Sequence, residues 1–395
     1  MKCTLDDYPI AGRRILVRVD FNVPLEGADV ADDTRIRAAL PTIRRLVDEG
    51  CAVILASHLG RPKGKVVEEL RLAPVARRLG ELLGRPVATV GDCVGPEVEA
   101  AARALAPGDV LLLENLRFHA EETANDPAFA ARLASLASVY VDDAFGSAHR
   151  AHASTEGVAH LLPAVAGLLM VRELEMLGAL LADPARPFVV VLGGAKVSDK
   201  IGVIEKMLTT ADAVLVGGAM CFAFFRAAGL ATGTSKVEEE SVEVAGRLAA
   251  EAGAVACDFE LPSDILVAPA AEAGAPATVV AAAAMPADQM GLDIGPATAA
   301  AFAARVAGAG TVFWNGPMGL FEIDDFAAGT KAVAEAVAAS GAVTVVGGGD
   351  TVSAVRRFGL EDRISHVSTG GGASMEFIEG RTLPGVDALL DEERG

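Results

Sequence analysis

Short apolar runs recur along the chain, and longer stretches of helical spacing separate them. In the first half the runs are Arg14–Asp20, Ala52–Ser57, Val87–Val90, Asp109–Asn115 and Val139–Phe145. In the second half they are Phe188–Gly194, Ala213–Gly218, Thr311–Pro317, Val343–Gly349 and His366–Gly372. Continuous Val, Ile and Leu without alternation means strands covered on both faces, as in a parallel sheet. The intervening segments, such as Thr34–Gly50 and Thr330–Gly341, carry helical periodicity and stop at glycine. The β–α alternation runs through both halves, which predicts an α/β protein with two doubly wound parallel-sheet domains. Between them, Gly167–Asp183 reads as one amphipathic helix stopped by Pro184 and Pro187, a semi-rigid connector.

At 395 residues and 52% hydrophobic, the chain has the length for two domains and the apolar surface for large cores. A net charge of −19 argues against nucleic acid as a partner. No stretch approaches the roughly 20 apolar residues of a membrane span, and MKCTLDDYPI places acids where a secretory leader carries its apolar run. The five cysteines are far apart and form no C-x-x-C pair, which fits a reducing cytoplasm better than a zinc cage or disulfide framework. Charge is unevenly placed. Residues 1–172 hold 20 basic and 23 acidic side chains, net −3, and residues 173–395 hold 14 and 30, net −16.

In open α/β sheets ligands bind beyond the carboxyl ends of the strands. In the first half those ends run into RVDFN (Arg18–Asn22), SHLGRP (Ser57–Pro62), ENLRFH (Glu114–His119) and a segment with Arg150 and His152, while Arg35 opens the first helix. A single arginine on such a loop is ordinarily a solvated surface group. Four at successive strand ends of one sheet predict a pocket for a small polyanion, gripped by bidentate guanidinium pairs. His149 and His152 lack further ligands at a workable spacing, which argues against a metal pair.

In the second half the strands end in Gly193-Gly194, Gly217-Gly218, Gly347–Gly349 and Gly370–Gly372. Such turns bring bare amides and helix starts to an anion, which suits a polyphosphate. Lys196 and Lys200, spaced i and i+4, are expected on one helix face, where cations oppose the dipole unless a phosphate is bound. Asp350 fits either a Mg²⁺ ligand or a helix N-cap. The Trp314–Gly319 turn with Glu322 reads as a wall for base and ribose, or as a packed turn with a surface acid. P-loop, dinucleotide-fold, protein-kinase and hydrolase-elbow motifs are all missing from the sequence. One half for a small polyanion and one for a nucleotide together point to phosphoryl transfer. As rivals, a dehydrogenase fails for lack of the dinucleotide fingerprint, and Arg35, Lys196 and Asp350 speak against a non-catalytic sensor.

The motifs RVDFNVPL, SHLGRP, ENLRFH, AFGSAHRAHAS, LGGAKVSDKI, FWNGPMGLFE, GGGDT and STGGGASMEFIEG stand in an order that resembles the phosphoglycerate kinase family, from about residue 5 to residue 387. The resemblance implies two Rossmann-like domains facing a cleft, with reversible Mg²⁺-dependent transfer from 1,3-bisphosphoglycerate to ADP after hinge closure. It implies that residues 1–168 with 378–395 bind phosphoglycerate, 169–184 connect, and 185–377 bind nucleotide. By this likeness Asp20, Phe21, Asn22, His58, Leu59, Gly60, Arg61, Arg117 and Arg150 surround phosphoglycerate. Arg35 and Lys196 meet the transferring group with Gly349 and Gly372. Lys200, Gly291, Glu322, Gly348 and Thr351 meet the nucleotide, and Asp350 takes the metal. The implied partners are ADP or ATP and the phosphoglycerates, on a cytoplasmic monomer.

Overall fold

A computed structural model describes residues 2–391, so the last four residues of the expected 378–395 segment lie outside the described residues. The chain divides into two units. One takes in the chain through Glu175 and resumes at Thr382, and the other is Met176–Arg381.

The first unit is built on a six-stranded parallel sheet in the order Ala88–Thr89, Val110–Leu112, Ala52–Ala56, Arg14–Arg18, Val139–Asp142, Ala164–Ala166. Its central strands, AVILA and VYVD, are buried at every position. That is why they read as unbroken apolar runs. The helix Thr34–Asp48 covers one face, burying Ile36, Leu40, Ile43 and Leu46 at helical spacing. The sequence pattern gives no signal for the sixth strand, Ala164–Ala166, because AVA is too short and too rich in alanine to stand out. The last segment pairs back here. Gly385 N–H donates to Ala148 O at 2.9 Å, Leu390 N–H to Ala164 O at 3.0 Å, and Cys3 N–H to Leu390 O at 2.8 Å.

The helix Leu168–Ala182 passes from one unit to the other, and its start is fixed by Asp143, whose Oδ1 accepts from Leu169 N–H at 2.9 Å. Met170, Glu173, Leu177 and Leu180 share its buried face.

The second unit has its own six-stranded parallel sheet, ordered Asp258–Glu260, Ala213–Val216, Phe188–Leu192, Thr311–Asn315, Val343–Gly347, His366–Val367. A second, antiparallel sheet of Thr278–Ala281, Asp264–Ala268 and Met290–Ile294 interrupts the doubly wound pattern. The sequence pattern does not signal it, because Thr278–Ala281 is largely exposed and lacks a clean alternation. The five cysteines are buried. No helix among the described residues is long and apolar enough to cross a membrane.

Candidate active site

At the carboxyl end of the first sheet, strand-end loops are laced together. Phe21 N–H donates to Ser57 Oγ at 2.9 Å, and Asn22 Oδ1 accepts from Gly60 N–H at 2.8 Å. Asn115 brackets Leu59, accepting from its N–H at 3.2 Å and donating to its carbonyl at 2.8 Å. Arg117 donates to Gly60 O at 3.0 Å. These bonds fix the loops whose other side chains, Arg61, Arg117 and Arg150, line one cavity of about 490 Å³ with Lys63 and His119. Arg35 stands apart from that cavity, on Asp20.

The region is strongly positive. Burial, then the charges of Arg18 and Arg150, bring the Arg117 guanidinium down to about 10, and its Nε finds no protein acceptor. An anion relieves both penalties. Burial also pushes His58 well below the ordinary histidine range, helped by Arg18, Arg117 and Arg35 and opposed by Asp20. Arg18 lies 3.1 Å from His58 Nδ1. A guanidinium only donates, so Nδ1 accepts and the neutral ring carries its proton on Nε2. His152 is lowered to about 4, by burial and then by Arg117 and Arg18.

The sequence places Arg18 in the strand-end run RVDFN without giving it a role of its own, and it does not single out Glu122. Arg18 is 1% exposed, donating to Ser154 Oγ at 2.8 Å as well as to His58. Glu122 is wholly buried and accepts from Ser154 N–H at 3.0 Å and Oγ at 2.7 Å. Burial raises its carboxyl, against the pull of Arg18. The signal for Arg18 was present, as a charge inside the apolar strand RILVR. Glu122 gave none, because EET reads as an ordinary helix start.

At the carboxyl end of the second sheet a cavity of about 400 Å³ is lined by Gly291, Glu322 and Asp350, and also by Phe222, Pro317 and Met318. Gly291 is held by its N–H on Ser235 Oγ at 2.9 Å. A Cβ there would come within 2.2 Å of the Phe222 ring. Lys200 reaches inward to Asn315 Oδ1. Burial brings its ammonium down to about 8, with Asp199 and Asp350 opposing. Gly348 (φ 87) and Gly371 (φ 54) turn the chain into the helices Gly349–Arg357 and Gly372–Ile378. The first-turn amides of a helix have no intrahelical acceptor.

Four details depart from the sequence expectation. The first two glycine pairs do not present bare amides: Gly193 donates to Asn315 O, Gly194 to Pro317 O, Gly217 to Leu192 O and Gly218 to Met318 O. They serve close loop packing. A Cβ at Gly218 (φ +66) would stand 2.5 Å from Gly194 N. Lys196 and Lys200 do not share a helix face, because the helix begins at Ile201 and Lys200 is its cap residue; Lys196 is exposed and Lys200 turns inward. Trp314 is fully buried, its indole N–H on Gly316 O at 2.8 Å, and the cavity is walled by the residues after it. The Thr351 hydroxyl is buried too, accepting from Gly316 N–H at 2.6 Å.

The family model described as phosphoglycerate kinase matches residues 5–381. The phosphoglycerate kinase of Moorella thermoacetica is 61% identical over 391 residues, covering 99% of this chain and 100% of its own. That of Chlorobium luteolum is 55% identical over 393 residues, covering 98% and 99%. Among solved structures, phosphoglycerate kinase from Coxiella burnetii is 40% identical with a TM-score of 0.89, covering 98% of each chain. The enzyme from Pyrococcus horikoshii is 32% identical with a TM-score of 0.86, again covering 98% of each.

Proposed function

The chain belongs to the phosphoglycerate kinase family, and from that premise we propose how its two sites divide the reaction. The activity is ADP-dependent phosphoryl transfer in glycolysis, with the carboxyl group of 3-phosphoglycerate as acceptor in the reverse direction. The observation that carries the division is the gathering of Arg61, Arg117 and Arg150 around one cavity in the first unit, against the glycine turns, Lys200 and Asp350 in the second.

In the first unit Arg61, Arg117 and Arg150 hold the phosphate of the phosphoglycerate, and the Nε2–H of His58 donates to it or to its carboxyl end. Asp20 and Asn22 position the hydroxyl-bearing carbon, while Phe21, Leu59 and Gly60 shape the floor. In the second unit Gly291 and the apolar wall take the base, Glu322 the ribose, and Lys200 the nucleotide phosphates, with the N–H groups at Gly348, Gly349 and Thr351. Asp350 lines this cavity in the first turn of a helix. Mg²⁺ takes one or two carboxylates together with phosphate oxygens and water, so the donor set fits that ion. Asp350 would hold it, and when bound it neutralises charge on the nucleotide phosphates.

The bond between phosphorus and the acyl oxygen breaks as the bond to the terminal ADP oxygen forms. The leaving group is a carboxylate with a pKa of about 3.5–4, so no proton need be moved. What remains for the protein is positioning and charge stabilisation. Arg35, Lys196 and the N–H groups of Gly349 and Gly372 supply the stabilisation around the transferring PO₃ unit. Direct transfer requires donor and acceptor to meet, so the reading includes closure of one unit onto the other when both ligands are bound. Closure also keeps water from the acyl phosphate. The reading takes a monomer as the acting unit, in a reducing cytoplasm that five buried cysteines spread along the chain fit. ATP formation from 1,3-bisphosphoglycerate and ADP, followed in a coupled assay, tests the reading; no ATP would overturn it.

A further inference from the structure

Asp92, Cys93 and His119 have no part in the chemistry proposed above. Asp92 and Cys93 lie in the loop between the strand Ala88–Thr89 and the helix Pro96–Ala104. His119 follows the strand Val110–Leu112 and the turn Leu116–Phe118. The two loops are tied by Glu114 N–H donating to Asp92 O at 3.3 Å. Each of the three residues presents one donor atom within 4.8 Å of the other two.

We propose that Asp92, Cys93 and His119 form a binding site for a borderline-soft divalent cation of the Zn²⁺ type, with one further position left for water or an anion. Three features carry this. The donors are a carboxylate oxygen, a thiol sulfur and an imidazole nitrogen, a set that suits zinc; magnesium demands oxygen. Their spacing is close to what such an ion needs. Bonds of about 2.0–2.3 Å to tetrahedral ligands put the ligand atoms roughly 3.3–3.7 Å apart. His119 Nε2 and Asp92 Oδ1 are now 2.6 Å apart and need only open slightly to admit an ion. The set is also partly organised beforehand. The Cys93 sulfur belongs to a fully buried residue. The His119 ring lies against Phe129 at 5.2 Å between centroids, and Asp92 Oδ1 also accepts from Cys93 N–H at 2.6 Å.

Binding is balanced by proton release. The sulfur–metal bond forms as the Cys93 thiol loses its proton to solvent, and the Nε2 hydrogen that faces Asp92 is exchanged through solvent onto Nδ1, so His119 binds as a neutral imidazole and only the thiol proton is released. His119 also lines the cavity of Arg61, Arg117 and Arg150, so an ion here borders that cavity.

Co²⁺ titrated into the chelator-treated full chain tests the site without any assay of activity. The expected result is one equivalent of thiolate-to-cobalt charge-transfer absorption, displaced by Zn²⁺ and not by excess Mg²⁺. It is lost in Cys93→Ser and in His119→Gln, with unchanged far-ultraviolet circular dichroism, and kept in Cys51→Ser. His119→Gln changes a partly exposed side chain, so it carries the test even if Cys93→Ser disturbs folding. Absorption that is absent from the unsubstituted chain, or that persists in both variants, overturns the proposal.

Discussion

Arg35 donates to the carboxylate of Asp20 at 2.5 Å, joining the start of the first helix to the end of the first strand. Burial pushes the Asp20 carboxyl up, but Arg35 and the neighbouring positive groups outweigh it and hold the pKa below the ordinary value. Asp20 is therefore ionised, and on the proposed reading a more highly charged phosphoryl group competes with it for Arg35. Arg35→Ala is expected to lower kcat by about 10³–10⁵, in the range of other arginines that meet a transferring phosphoryl group. The KM for ADP should move little. Steady-state kinetics with both substrates varied decides it, and an unchanged kcat removes Arg35 from the transition state.

The buried ammonium of Lys200 titrates near pH 8 in the free protein. Only its protonated form attracts phosphate. Nucleotide affinity is therefore expected to fall as pH rises through about 8, by up to about tenfold per unit until the bound form also titrates. Calorimetric Kd values for ADP between neutral and alkaline pH measure this. The fall should vanish in Lys200→Met, which binds weakly throughout; an identical profile in that variant would place the titration elsewhere.

Gly291→Ala drives a methyl group toward Phe222 and Ile265, which lie 2.2 and 2.9 Å from where it would stand. The ring must shift, and it walls the second cavity. The KM for ADP is expected to rise about tenfold, equivalent to about 1.4 kcal/mol, while that for 3-phosphoglycerate is unchanged. Equal changes in both would indicate a global loss of structure instead.

Asp142 is completely buried, and burial lifts its carboxyl to about 7, against Ala144 N–H and Arg18. The unfolded value is about 3.9. Between the two the folded chain binds the extra proton, so this group's contribution to stability is full below about pH 4 and is lost as pH rises through about 7. Asp142→Asn keeps an acceptor for Ala144 N–H, now met by Asp142 Oδ1 at 3.0 Å. It should raise Tm by several degrees at pH 8 and change it little at pH 4. Thermal melts at both values measure this, and a gain confined to low pH would reverse the assigned sign.

If donor and acceptor meet by closure, small-angle scattering should show a smaller radius of gyration with both ligands bound than with either alone. No compaction in the ternary complex would count against closure as the route to transfer.

The parallel strands, and the fact that their carboxyl ends carry arginines in one half and glycines in the other, were legible in the sequence. Strands buried on both faces are apolar along most of their length, with Arg18 and Asp142 as charged exceptions at their carboxyl ends, and the βα topology puts those ends on one rim. So the chain order of RVDFN, SHLGRP and ENLRFH was already a statement about space. Arg18 and Glu122 were harder, because a buried charge looks like any other charge until its partners from distant loops are known. Phe222 and Met318 look like core residues from their neighbours, and their exposure to a cavity depends on loops far away in sequence.

What the sequence by itself determined was local: which segments are strands, where each stops, and which charged or bare residues follow. Periodicity and turn chemistry act over a few residues and need no knowledge of the rest. The tertiary structure alone decided the directions of side chains and the fate of individual donors. It turned Lys200 inward and left Lys196 exposed, buried Trp314 while the residues after it line the second cavity, and took the amides of Gly193, Gly194, Gly217 and Gly218 for neighbouring carbonyls. Those outcomes depend on which loops come within about 3 Å of each other, the range of a hydrogen bond. That distance is fixed only when the whole sheet has assembled.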